Sequence, residues 1–207
     1  IPWAAVRSFP SSIEWAITPV AVYSSLNAMT RRILSILLAS LALSSPTWAD
    51  STARKAPAFT VSMIDGSKIS TTQYQGKVVI LAMIMTTCPH CQAATRTLST
   101  LQREFGPKGL QVIEAVFDPN PKEMIPKFLQ SLNPPFPVGS TNTLAAAAFM
   151  QLDASKRYYV PYVTFIDRAG MIRGQYKGDD AFNAESELAK NYRNLVVKLI
   201  DGKMSKK

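Results

Sequence analysis

The chain has 207 residues, with 23 lysines and arginines against 14 aspartates and glutamates, a formal charge of +9, one histidine and two cysteines. The basic surplus is spread along the sequence, apart from Lys203, Lys206 and Lys207 at the end. No basic helix is interleaved with aromatic residues, so nothing here supports a nucleic-acid-binding role.

Met29-Thr30-Arg31-Arg32 is a short basic start, Ile33 to Leu43 an apolar stretch, and Ser44 to Ala49 a small-residue exit. Together they predict a signal peptide over residues 29–49, cleaved after Ala49. The apolar stretch is short for a transmembrane helix, and an uncleaved anchor is the alternative. Residues 1–28 are expected to be a non-native upstream extension, against the alternative of a genuine one. Residues 50–207 are then enough for one domain with one core, working in the periplasm or otherwise outside the cytoplasm.

Val78 to Met85 is an apolar run of strand length, as expected of a central strand buried on both faces. From Pro89 onward Ala94, Leu98, Leu101 and Phe105 line one helix face, and Gly106-Pro107 ends it. Leu110 to Phe117 predicts a second strand, broken by Asp118 to Pro121, which completes a βαβ unit with a parallel strand pair. A helix is expected over Glu123–Leu132, a short edge strand over Phe136–Gly139, because prolines are tolerated at edges, and a helix over Thr143–Leu152. Tyr162–Ile166 and Met171–Tyr176 read as a hairpin turned by Asp167–Gly170. A last helix runs over Ala184–Ile200, with Leu188, Tyr192, Leu195, Val196 and Leu199 as its apolar stripe.

Both cysteines and the histidine fall in one tetrapeptide, Cys88-Pro89-His90-Cys91, where the central strand turns into a helix. Pro89 suits the first helical turn, which makes Cys88 the N-cap with its sulfur facing unpaired backbone N–H groups. Those donors and the helix dipole favour a thiolate. Cys91, one turn further in, is expected to reach the Cys88 sulfur with less access to solvent, so Cys88 attacks and Cys91 resolves. His90 adds a second donor near Cys88 and, when protonated, further favours the thiolate, which makes the disulfide form more oxidising. Two cysteines and one histidine fall short of the about four ligands of a zinc site. Gln92 stands where a c-type haem motif needs histidine. A purely structural bridge across two residues closes too short a loop to stabilise much.

From about Lys55 to Gly202 the chain resembles a thioredoxin-like domain of the extracytoplasmic TlpA type, an α/β fold with a central mixed sheet flanked by helices. Ala56 to Val61 resembles the opening strand, Asp65 to Ser70 its turn, and Gln75-Gly76-Lys77 the approach to the central strand. The tetrapeptide is of the kind found in DsbA-like oxidases. Val160-Pro161 resembles the family's cis-proline, which lies against the disulfide and holds substrate backbone. The resemblance implies a thiol–disulfide oxidoreductase whose cofactor is its own redox-active disulfide. Its partners would be cysteine-containing exported proteins and a membrane redox partner that recycles the site.

The departures are specific. Thr87 replaces the tryptophan before the first cysteine, Ala82 the buried aspartate six residues before it, and Ala94 the glutamate some relatives carry six residues after it. Glu114 is a candidate substitute acceptor for the Cys91 proton, with an exposed or strand-end carboxylate as the alternative. The tetrapeptide argues for an oxidant, while the body resembles reductants such as those of cytochrome c maturation, so direction stays open. Tyr158, Tyr159 and Tyr162 bracket Pro161 either as an apolar lip for peptides or, in part, as core. Peroxide reduction would need threonine where Met85 stands. A non-catalytic peptide- or copper-binding module is the remaining alternative, although the methionines, including Met83 and Met85, read as core filling.

Overall fold

The computed structural model describes residues 53–153 and 155–202. The predicted boundaries after residues 28 and 49, and the lysines at 203, 206 and 207, lie outside the described residues.

Among the described residues, eight strands form one mixed sheet: β1 (Arg54–Lys55), β2 (Thr60–Ser62), β3 (Lys68–Ser70), β4 (Val78–Ile84), β5 (Leu110–Val116), β6 (Val138–Ser140), β7 (Tyr162–Ile166) and β8 (Met171–Tyr176). Their order across the sheet is β1-β8-β7-β4-β5-β6-β2-β3. The α-helices of the described residues are α1 (Pro89–Phe105), α2 (Pro121–Leu132), α3 (Thr143–Met150) and α4 (Glu185–Ile200).

β4 is central because all seven of its residues are apolar and buried. It runs parallel to β5, with α1 as the crossover, and antiparallel to β7. Its alternate side chains divide the interior: Val78, Ile80, Ala82 and Ile84 face a core filled by α1, α2 and α4, and Val79, Leu81 and Met83 face a second one. Phe59 and Val61 close that second core together with Phe149 and Met150 of α3.

Three expectations need correction. The segment Phe136–Gly139 is not an edge strand. Its strand is Val138–Ser140, inside the sheet between β5 and β2. The prolines precede it, so no ladder donor is lost, and the Pro137 carbonyl accepts the Glu114 N–H at 3.0 Å. The turn expected over Asp65–Ser70 is shorter, since Lys68–Ser70 already pairs with β2. The helix expected from Glu123 starts at Pro121, a position where proline's missing donor costs nothing. The hairpin of β7 and β8 turns at Gly170, whose φ of 76° favours glycine.

Candidate active site

The parallel strands β4 and β5 end together, and the turn after β4 carries the cysteines to the start of α1. Cys88 is the N-cap of α1, Pro89 occupies its first turn, and the Cys91 N–H points at Cys88 Sγ at 3.4 Å. That places the sulfur on a backbone donor that the helix end would otherwise leave unpaired. Both thiols are free, Cys88 partly exposed and Cys91 buried.

Two residues not singled out from sequence hold this turn. Asp118, just beyond β5, accepts the Thr86 N–H at 2.9 Å, and Gln92 donates through Nε2 to the Thr86 carbonyl at 2.9 Å. The Cys88 N–H closes the turn onto the Met85 carbonyl at 3.2 Å.

Glu114 is fully buried in the middle of β5, so the exposed or strand-end alternative falls. It stands directly across the sheet from Ala82. On the same face, the small Ala82 side chain makes way for a carboxyl on the neighbouring strand. Loss of solvent raises the Glu114 carboxyl from 4.5 to about 8, against the opposing hydrogen bond from Thr95. The Cys91 thiol is also pushed up, first by burial, with Cys88 and Glu114 adding to the shift. Thr95 links the two: its Oγ1 lies 2.7 Å from Glu114 Oε1 and 3.0 Å from the Cys91 carbonyl. A hydroxyl has one proton for two acceptors. When Glu114 is a neutral acid, its O–H can donate to Thr95 and the threonine proton can go to the carbonyl. When it is a carboxylate, the threonine proton turns to it. The second carboxyl oxygen, Oε2, has no hydrogen-bond partner among the described residues.

His90 is exposed, and its Nδ1 lies 4.0 Å from Glu185 Oε2 at the start of α4. The donor on the Cys88 sulfur is the Cys91 backbone, and the imidazole is paired toward α4 instead.

The Val160–Pro161 peptide bond is cis. β7 begins at Tyr162 opposite Met83 of β4, so continuing that register sets Pro161 beside Ile84 and Val160 beside Met85, at the cysteine turn. Of the three tyrosines, Tyr162 is buried and stacks on Phe117, Tyr158 packs edge-on against Tyr162, and Tyr159 is exposed. The lip is thus divided between core and surface. Among the described residues no cluster of three metal-ligating side chains occurs, and no helix is long and apolar enough to cross a membrane.

Residues 52–175 match the AhpC/TSA family. No curated protein matches the sequence. Among solved structures, a thiol:disulfide interchange protein of the thioredoxin family from Chlorobium tepidum is similar at 18% identity and TM-score 0.59, over 73% of this chain and 99% of that one. The thioredoxin domain of a thiol-disulfide oxidoreductase from Bacteroides vulgatus is similar at 19% identity and TM-score 0.53, over 67% and 98%. A thiol:disulfide interchange protein from a Bacteroides species follows at 18% and 0.53, over 68% and 89%. At these identities the likeness is one of fold, and the fold is thioredoxin-like.

Proposed function

The chain belongs to the AhpC/TSA family, and from that premise we propose that it is an exported thiol–disulfide oxidoreductase of TlpA type acting through Cys88 and Cys91. The observation that carries this reading is a sulfur at a helix N-cap backed by a buried second thiol. In the reducing direction the Cys88 thiolate attacks a substrate disulfide, one substrate sulfur leaves as thiolate, and a mixed disulfide forms. Cys91 gives up its proton and attacks Cys88 Sγ. The second substrate sulfur then leaves, two electrons have passed to the substrate, and Cys88 is joined to Cys91.

As a carboxylate, Glu114 is a buried acceptor for the Cys91 proton in that step and returns it in the reverse step, so it serves exchange in either direction. The exposed His90, paired toward Glu185, gives the oxidant reading less support than the tetrapeptide alone suggested. Val160 and Pro161 would hold substrate backbone. The partners are cysteine-containing exported proteins and a membrane reductant that recycles the site, outside the cytoplasm.

Replacing Cys91 with serine is expected to leave substrates covalently trapped on Cys88 in exporting cells, released by a thiol reductant. Absence of any trapped partner contradicts the reading.

A further inference from the structure

Behind the Val160–Pro161 edge lies a brace built from residues 177–183 and α4. Gly178 presses against the edge so closely that a Cβ there would lie 2.3 Å from the Val160 carbonyl oxygen, and its N–H donates to the Tyr159 carbonyl at 2.7 Å. Asn183 is buried, and its Nδ2 donates to the Lys177 carbonyl at 2.6 Å and reaches the Pro161 carbonyl at 3.4 Å. Carbonyls only accept, so these two partners fix which way the amide faces. The remaining amide oxygen takes the Tyr192 hydroxyl at 2.8 Å. Tyr192 is itself fully buried, and Phe182 of the brace stacks over it and over Tyr176. The Pro161 contact is long and weak alone, and the short bond to Lys177 anchors the amide that makes it.

In front of the brace, the Val160–Pro161 edge continues β7 toward the end of β4 and the cysteine turn. Extended backbone beside the cysteine turn suits an extended peptide laid alongside it. We propose that Asn183, oriented by Tyr192, is a positioning residue for peptide substrates, holding the Val160–Pro161 edge where an extended backbone can pair with it. This rests on the exchange reading above and adds which side chains behind the Val160–Pro161 edge fix its place.

The test compares two oxidised substrates with the reduced protein: a short disulfide-bonded peptide, and dithiodipyridine, a small disulfide with no backbone to bind. Asn183→Leu is expected to lower kcat/KM for the peptide about tenfold, chiefly through KM, while the dithiodipyridine rate stays within about twofold. Tyr192→Phe keeps the ring and loses the hydroxyl. It is expected to show the same selectivity with a smaller loss, and it carries the test if Asn183→Leu does not fold. Equal losses on both substrates, or no loss on the peptide, overturn the proposal. A wild-type protein inert to the peptide but reactive with dithiodipyridine overturns it while leaving the redox pair intact, and one inert to both overturns the exchange reading and this inference with it.

Discussion

On the α1 side of the sheet, a thiol, a carboxyl and the hydroxyls of Thr95 and Ser99 are packed among leucines and aromatic rings. On the opposite side, the buried hydroxyls are structural: Thr164 donates to Met150 Sδ and Thr71 accepts the Phe59 N–H. Burying a carboxyl with an unpartnered oxygen is costly, and a protein built for stability alone would fill that space with methylenes. The second core does so, with Leu81, Met83 and Ile113 at the matching depth. The contrast is that the one buried carboxyl with an unpartnered oxygen among the described residues lies on the side of the sheet that carries the cysteines.

Truncating the second core sharpens the contrast most. Leu81→Ala is expected to cost about 2–5 kcal/mol of stability by denaturant unfolding. Exchange at Cys88 should stay within about twofold while the protein is folded, since Leu81 belongs to the core on the other side of the sheet from the cysteines. A large rate loss in the folded variant would break the division between the two sides.

Glu114→Gln comes next. It keeps the volume, removes the acid, and is expected to slow Cys91 attack on the mixed disulfide by about a hundredfold in stopped-flow measurements. With the carboxyl raised to about 8, the wild-type step should accelerate as pH rises through that value, because only the carboxylate accepts a proton. The variant should lose that inflection. Stability has the opposite sign. Between 4.5 and about 8 the folded protein retains a proton that the unfolded chain has released, so stability falls as pH rises across that window. Glu114→Gln should flatten the slope in unfolding experiments, and an unchanged slope would mean that the carboxyl is not the titrating group.

Thr95→Val should act less, and through Glu114. Its hydroxyl favours the ionised carboxyl, so removing it is expected to move the kinetic inflection to higher pH. An inflection moving down would contradict the hydrogen-bond assignment. Glu185→Gln is expected to change exchange by less than about twofold, since the pair with His90 is long and exposed.

Much of the frame is legible in the sequence because local and global signals agree there. The Val78–Met85 run has one stable place, inside a sheet, and Pro89 after Cys88 marks the start of a helix. β6 is not legible, because prolines beside a strand look like an edge when the strand's own three residues are too few to show what flanks them. Glu114 was half legible. A strand buried on both faces has no polar face, so a carboxylate between Val112 and Val116 has to be interior, yet the matching gap at Ala82 lies on another strand and appears only once the register is known. Asn183 gives no signal, since its partners Pro161, Lys177 and Tyr192 meet it through tertiary structure.

The most direct test of the account is a redox titration of residues 50–207 in glutathione buffers, read as a gel shift after thiol alkylation, because all three tryptophans lie before residue 50. Reversible two-electron conversion of Cys88 and Cys91 is expected, with a midpoint between about −120 and −270 mV. Thiols that never form the disulfide across that range would contradict it.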